Sequence, residues 1–200
     1  MHTPSIFQRC NKLEWIDVMF YFDHDYFCGY PIVRNEPDDP FFRGKCGPKL
    51  TYLYNHNTKI LTISGSSEMT NSTYTYRGIE SIFIRFRKTL ENVVVEENVE
   101  SIGTWPFFKF ESLTSLKLSK SVKYIYEGAF YACPSLISFD FSDSITYIGK
   151  SSFGGCKNLT SIDILHTVES IEASAFDYCT SITHANITEV HSLGNGVFQN

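Results

Sequence analysis

Long apolar runs and runs of positive charge are both missing from this 200-residue sequence. No apolar stretch approaches the roughly 18 residues that a membrane-spanning helix needs, so no membrane span is predicted. Residues 1–10 lack a charged segment followed by an apolar one, so no export signal is predicted within the sequence either. The net charge is −5, and the basic residues cluster only at Arg85, Arg87 and Lys88. This balance excludes the broad basic surface on which nucleic-acid binding depends.

Motifs of catalysis and metal binding are missing as well. Asp23, His24, Asp25 and Cys28 put three kinds of metal-ligating group within six residues, so a metal site there is conceivable. A second spaced pair of ligands is missing, however, and an aromatic-rich strand with one polar turn explains the same residues. The other histidines are scattered, and no Ser or Cys stands in a nucleophile motif. The sequence therefore predicts a protein without enzyme activity, metal or cofactor.

Aromatic residues are abundant, with 17 Phe and 12 Tyr, and many of them recur at a fixed interval. Phe130, Phe153 and Phe176 lie 23 residues apart, and each is followed three positions later by a cysteine. A fixed period between roughly 20 and 50 residues indicates a stacked repeat architecture. With 42% hydrophobic residues, the chain also has ample material for one continuous core.

The period aligns four full units that begin at Leu90, Leu113, Leu136 and Leu159, and a fifth that begins at Ile182. In the four full units, apolar residues recur at offsets 0, 3, 5, 9, 12 and 17 from the first residue. The alternation at offsets 3 and 5 predicts a short strand, and the spacing from 9 to 12 predicts a turn into a second extended piece. One unit buries its single apolar face only by stacking on its neighbours, so the units together predict a curved solenoid.

The repeated phrase L-x-x-I-x-I, then V-x-x-I-G, then A-F-x-x-C resembles the BspA-like leucine-rich repeats found in surface proteins of anaerobic bacteria and parasitic protists. Residues 45–70, which contain L-T-I-S-G and a Met, resemble the amino-terminal cap of such arrays. The resemblance implies a mainly β leucine-rich-repeat superhelix, with short helical turns on its convex side and a β-rich N-terminal cap. It also implies adhesion at a cell surface, although the localisation itself stays open.

The predicted organisation has four parts. Residues 1–18 carry apolar residues at the repeat's own offsets and are predicted to be a partial leading repeat. Residues 19–44 are an irregular interruption that is aromatic and contains proline, and residues 45–89 are a cap-like β segment. Residues 90–200 are the 23-residue repeats, of which the last is incomplete. Two explanations of the incomplete ends stay open: a fragment of a longer array, or a degenerate member of the family.

The recurring Phe and Cys residues are predicted to fill the same interior slot in every coil. Equivalent residues of stacked coils lie about 4.8 Å apart, and side chains that point in parallel pair poorly as disulfides. The thiols are therefore predicted to be buried and free, with a disulfide or redox role as the alternative. Cys28 and Cys46 lie outside this column and either pair with each other or stay free. The predicted ladder comprises Phe107, Phe130, Phe153, Phe176, Phe198, Cys133, Cys156 and Cys179.

On the predicted concave strand face, side chains at offsets 2, 4 and 6 point away from the core, and small hydroxyls dominate there. An extended face of this kind suits a protein or glycan partner, whereas solvation alone also produces a polar strand face. Tyr124 and Tyr147, at offset 11, are either an exposed aromatic patch or part of the core. The candidate binding face comprises Ser115, Lys117, Ser138, Asp140, Ser161, Asp163, His184 and Asn186.

Together these features favour a non-enzymatic protein- or glycan-binding module of a cell-surface adhesin-like protein, which binds through the concave strand face. The alternative from another class is an intracellular protein-interaction scaffold, or a degenerate array member without a binding role. Three N-x-S/T sequons, at Asn71, Asn158 and Asn186, favour secretion only weakly. Neither a nucleic acid nor a membrane is a predicted partner of this chain.

Overall fold

The computed structural model describes residues 26–27, 30–31, 41–75, 78–139 and 142–199. The chain forms two compact units, Met1–Pro40 and Phe41–Asn200. In the first unit, strands β1 (Tyr26–Phe27) and β2 (Tyr30–Pro31) pair antiparallel as a small hairpin. Within the described residues, no helix is long and apolar enough to cross a membrane.

The second unit begins with an antiparallel meander of three strands. Strands β3 (Phe41–Gly47), β4 (Leu50–Asn55) and β5 (Ile60–Gly65) pair in chain order. Buried and exposed side chains alternate along β4 and β5, as the period-two geometry of a half-buried strand requires. The meander starts four residues before Lys45, where the sequence places the start of the cap-like segment.

The meander and the repeat strands share one six-stranded sheet, because β5 pairs in parallel with the next strand of that sheet. Leu61, Val93 and Leu116 lie side by side on three neighbouring strands, and all three are buried. The meander thus covers a strand edge that the first repeat would otherwise leave open. The repeat strands of this first sheet are β9 (Asn92–Val95), β11 (Ser115–Lys117) and β13 (Ser138–Phe139). The following two coils contribute the parallel pair β15 (Ser161–Ile164) and β17 (His184–Ile187).

A second six-stranded sheet runs along another side of the solenoid, and all its pairings are parallel. Ile102, Ile125, Ile148 and Ile171 occupy one register row across it, and all four are buried. The core therefore lies between the two sheets. The second sheet comprises β6 (Ser67–Glu68), β10 (Val99–Ile102), β12 (Tyr124–Ile125), β14 (Tyr147–Ile148), β16 (Ser170–Ile171) and β18 (Ser192–Leu193). Strands β7 (Thr73–Thr75) and β8 (Gly78–Glu80) form a separate antiparallel pair.

The remaining side of each coil is built from tight turns. Two positions per coil adopt a positive φ, a conformation that a right-handed helix does not contain. This explains why turns stand where the sequence leads us to expect short helical turns. Among the described residues, the helical structure is the single 3₁₀ helix Ile84–Phe86. The positive-φ residues are Trp105, Gly128, Ser151, Ser174 and Gly196 at the first position, and Lys109, Ala132, Gly155 and Tyr178 at the second.

The mainly β leucine-rich-repeat solenoid predicted from the sequence is confirmed. The fifth coil departs from the period by one residue. Ser192 pairs with Ser170 at a spacing of 22 residues, whereas Tyr147 pairs with Ser170 at a spacing of 23. The missing residue falls in the turn between β17 and β18, so the fifth coil still stacks in register.

Gly128 tests the turn geometry directly. Both Gly128 and Gly155 have a positive φ, but a Cβ on Gly128 would collide with the ring of Trp105. A Cβ on Gly155 would stay 3.5 Å from its nearest neighbour, Ala132. Gly155→Ala should therefore lower the free energy of unfolding by about 1 kcal/mol, because only the positive φ is unfavourable for alanine there. Gly128→Ala should lower it by a further ~1–3 kcal/mol through overpacking, as measured by urea denaturation.

The control is the same glycine substitution in a Trp105→Ala background. There the excess cost of Gly128→Ala should disappear and the two alanine variants should become equal. Equal costs in the parent protein would show that Trp105 does not pack over Gly128.

Candidate binding face and the ladder behind it

A column of stacked phenylalanine rings runs through the core. Neighbouring ring centroids are 5.1 to 5.4 Å apart, and the interplanar angles lie between 0° and 19°. Each inner ring therefore contacts the rings of the coils before and after it, and each end ring contacts one ladder neighbour. The last ring is half-buried, while the others are buried. The stacked rings are Phe83, Phe107, Phe130, Phe153, Phe176 and Phe198.

The cysteines form a second column beside the rings. The Cys133 thiol donates to the carbonyl of Phe107 at 3.1 Å, and the next two thiols repeat this contact one coil further on, at 3.3 and 3.1 Å. Cys133, Cys156 and Cys179 are buried and free. Burial raises the pKa of Cys133 to about 12 and raises that of Cys156 well above its ordinary value. Cys133 and Cys156 are therefore protonated at neutral pH, a form that is inert as a nucleophile. At the end of the column the hydrogen bond with Cys156 lowers the pKa of Cys179 instead.

Phe110 and Phe86 occupy the cysteine position in the two coils that precede the thiol column. Each stands three residues after a ladder phenylalanine, and both are buried. Phe110 meets the ring of Phe107 edge-on, with centroids 5.4 Å apart. The slot thus accepts a phenylalanine near the cap and a thiol further along the solenoid.

The candidate face lies on the outward side of the first sheet and of the pair β15–β17. Ser115 is the register partner of Ser138, and Asp163 is the register partner of Asn186. Asp140 lies outside the described residues. The other seven candidate residues are exposed: Ser115, Lys117, Ser138, Ser161, Asp163, His184 and Asn186.

A packed layer supports this face from behind. Phe139, which follows Ser138, stacks on the ladder ring of Phe153 with centroids 4.4 Å apart and an interplanar angle of 7°. Ile162, next to Ser161, is buried. The exposed hydroxyls are therefore attached to strands whose alternate side chains are fixed in the core, so the face is pre-formed.

The turns that leave β9 and β11 border a shallow groove at one edge of the face. Its lining includes Glu96, Glu97 and Asn98 after β9, and Lys117 and Ser119 from the next coil. The groove therefore presents charges of both signs. A polar partner with its own mixed charges would fit it better than a strongly charged one.

The metal-ligand candidates Asp23, His24, Asp25 and Cys28 lie outside the described residues. Within the described part of the chain, no group of three or more His, Cys, Asp or Glu residues is arranged to hold a metal ion. Cys46 is buried and free, and burial raises its pKa to about 12.

Comparison with known proteins identifies the repeat. Residues 78–200 match the BspA type leucine rich repeat region in six copies. The chain belongs to this family. The match starts 12 residues before Leu90, the first residue of the first full unit predicted from the sequence. The family pattern therefore includes the coil that carries Phe83 and Phe86. No curated protein matches the sequence.

Solved structures of bacterial leucine-rich repeat proteins resemble the chain in fold. One from Eubacterium ventriosum shares 16% identity with a TM-score of 0.51 over 80% of this chain and 63% of that one. One from Bacteroides ovatus shares 26% identity with a TM-score of 0.44 over 55% and 34%. A leucine rich cell surface protein from Faecalibacterium prausnitzii shares 23% identity with a TM-score of 0.46 over 75% and 40%. The chain thus spans less than two thirds of the length of each of these three proteins.

Sequence reasoning missed the first ring of the ladder. Phe83 stacks on Phe107 at 5.1 Å, but the spacing between them is 24 residues and so falls outside the 23-residue register. A signal was present, because Phe83 and Phe86 repeat the spacing of Phe107 and Phe110. A repeat register with one extra residue before Leu90 would have placed Phe83 in the ladder.

Removing one ring from the middle of the column tests the ladder. Phe153→Ala should lower the free energy of unfolding by about 3–5 kcal/mol, because it leaves a cavity between two stacked rings and beneath Phe139. Phe198→Ala is the matched control: this ring is half-buried and stacks on one ladder neighbour, Phe176, so the loss should be clearly smaller. Equal losses in urea denaturation would contradict a ladder that is buried at its centre.

Proposed function

We propose that this chain is a non-enzymatic binding module of a cell-surface adhesin-like protein, and that it binds a protein or a glycan through the outward face of its repeat strands. The observation that carries the proposal is the exposed polar row on a pre-formed backbone. Ser115 and Ser138 stand in register on neighbouring strands, as do Asp163 and Asn186. Repeat solenoids use such extended surfaces for protein interaction, and the family membership supports a binding role.

The chemistry of the face favours a polar partner that is bound through many weak contacts. Ser138 and Ser161 offer hydroxyls that both donate and accept, Asp163 only accepts, and Asn186 does both. The candidate residues include neither an aromatic side chain nor an arginine, the types that dominate tight interfaces. Affinity would then come from repetition of the same contact along the strands, or from several copies acting together.

The second candidate is an intracellular protein-interaction scaffold, and the free thiols favour it. Cys46, Cys133, Cys156 and Cys179 are all unpaired, as is usual in a reducing compartment. The cell-surface reading rests on the family membership. Antibody staining of source cells before and after permeabilisation separates the two candidates, because only a surface protein is stained on intact cells.

The binding face is tested with a triple variant, Ser138→Arg, Ser161→Arg and Asp163→Arg. The parent is applied to an array of immobilised glycans and of collagen, fibronectin and laminin. Three long cationic side chains block the row of hydroxyls and reverse its charge, so binding to each probe that the parent recognises should fall by about tenfold or more.

The control carries arginine at two exposed positions of the last two coils that lie outside the candidate set, Thr180 and Asn195. It should bind the same probes as the parent, with circular dichroism showing that both variants are folded. Unchanged binding by the triple variant would remove this face from the function of the protein.

A further inference from the structure

A cluster of three tyrosines lies on the second sheet, away from the candidate face. The rings of Tyr124 and Tyr126 stack with centroids 6.0 Å apart and an interplanar angle of 7°. The ring of Tyr147 lies 6.1 Å from that of Tyr126 at an angle of 54°. All three side chains are half-buried, while Ile125 and Ile148 from the same strands are buried in the core. The tyrosines therefore belong to the outer surface of the sheet.

Gly149 leaves the surface beside the rings without a side chain. A Cβ at Gly149 would lie 2.7 Å from the backbone carbonyl carbon of Tyr126, so this position excludes any side chain. Its backbone N–H donates to the carbonyl of Ile125 at 2.7 Å, which fixes the two coils against each other. The rings thus stand on a rigid base next to a position that carries no side chain.

Three carboxylates surround the tyrosines. Glu68 is the register partner of Ser101, which in turn pairs with Tyr124. Glu127 follows Tyr126 directly, and Glu172 stands two residues after Ser170, the partner of Tyr147. Together these side chains form a tyrosine patch, which comprises Tyr124, Tyr126, Tyr147, Glu68, Glu127 and Glu172.

Burial and the nearby carboxylates raise the pKa of two of the tyrosines. Burial and then the negative charge of Glu68 raise the pKa of Tyr126 above its ordinary value. Burial and then Glu172 raise the pKa of Tyr147, to which Glu127 also contributes. Tyr126 and Tyr147 therefore stay neutral at physiological pH and keep the electron-rich ring faces that attract cations.

These three glutamates also lack cationic partners within the described part of the chain. The ion pairs there are Lys59–Glu91, Arg87–Glu111 and Lys120–Asp143, and none includes a carboxylate of the tyrosine patch. Two lysines lie along the flanking rows. Lys123 stands one coil after Glu100 and two coils before Glu169, and Lys150 stands one coil after Glu127. The region thus carries five carboxylates against two ammonium groups.

A buried polar group in the same row is also unsatisfied. Ser101 is fully buried, and its hydroxyl has no hydrogen-bond partner in the described structure. Because Ser101 is the register partner of Tyr124, its side chain points to the tyrosine side of the sheet. An unpaired buried hydroxyl is unfavourable, so a hydrogen-bond partner that approached from this side would be favoured.

We propose that the tyrosine patch docks an arginine-bearing segment of a partner protein. A guanidinium group stacks on an aromatic ring and at the same time donates hydrogen bonds to carboxylates, which are the two kinds of group that the patch combines. A contact between a guanidinium and an aromatic ring already occurs within this protein, because Arg85 Cζ lies 5.2 Å from the centroid of the Phe42 ring. This surface lies on the second sheet, so it adds a binding site to the one proposed on the first.

The test measures fluorescence anisotropy of a labelled octaarginine peptide with the full chain. The triple variant Glu68→Gln, Glu127→Gln and Glu172→Gln should weaken binding by about tenfold, because it removes the local carboxylates but keeps the shape. The matched control is Glu111→Gln, Asp143→Asn and Glu189→Gln, which removes the same number of negative charges at exposed sites outside both the patch and the candidate face. The control should change the affinity less than about threefold.

Two further variants separate the rings from the charge. Tyr126→Leu with Tyr147→Leu should weaken octaarginine binding by about tenfold, whereas Tyr126→Phe with Tyr147→Phe should retain it because the ring faces remain. An octalysine peptide should bind more weakly than octaarginine, since an ammonium group does not stack. Equal weakening by the patch and control triple variants, or full binding by folded leucine variants, would overturn the proposal. Neither result would affect binding at the candidate face of the first sheet.

Discussion

The structure depends on the stacking of one coil on the next at a fixed distance. Phenylalanine centroids repeat every 5.1 to 5.4 Å, close to the about 4.8 Å spacing of hydrogen-bonded strands. Backbone hydrogen bonds run in the same direction. Phe130 N–H donates to the carbonyl of Ser152 at 2.7 Å, and Phe153 N–H donates to the carbonyl of Ala175 at 2.8 Å. Side-chain packing and backbone hydrogen bonds thus impose the same register, and each coil must present the same kind of residue to its neighbours.

The same constraint produces two surfaces of different chemistry. Equivalent residues of successive coils lie side by side, so the outward positions of the first sheet form rows of small polar residues. Ser115 and Ser138 are neighbours in one such row. The outward positions of the second sheet align Tyr124 with Tyr147, with carboxylates near them. A partner on either surface therefore contacts residues that are close in space and about 23 positions apart in sequence.

Features that recur in every repeat could be predicted from the sequence, whereas features confined to a single coil could not. The strand positions and the interior of the solenoid follow from offsets that four units share. The left-handed turn position is occupied by Trp105, Gly128 and Ser151, three unrelated side chains, so no residue pattern marks it. Tyr126 escaped notice for a similar reason, since the next coil has Gly149 at that offset. The chemistry of the candidate face is readable from the sequence, but its partner is not, because short polar residues are also what solvation alone selects.

Amide hydrogen exchange, followed by NMR as a function of denaturant, tests the stacking of the coils most directly. The amides of Phe130 and Phe153 donate from one coil to the next within the core. The account predicts that both exchange only through global unfolding, with an opening free energy that equals the free energy of unfolding and falls with the same denaturant dependence. Exchange of these amides within minutes, without dependence on denaturant, would contradict a solenoid held together by contacts between its coils.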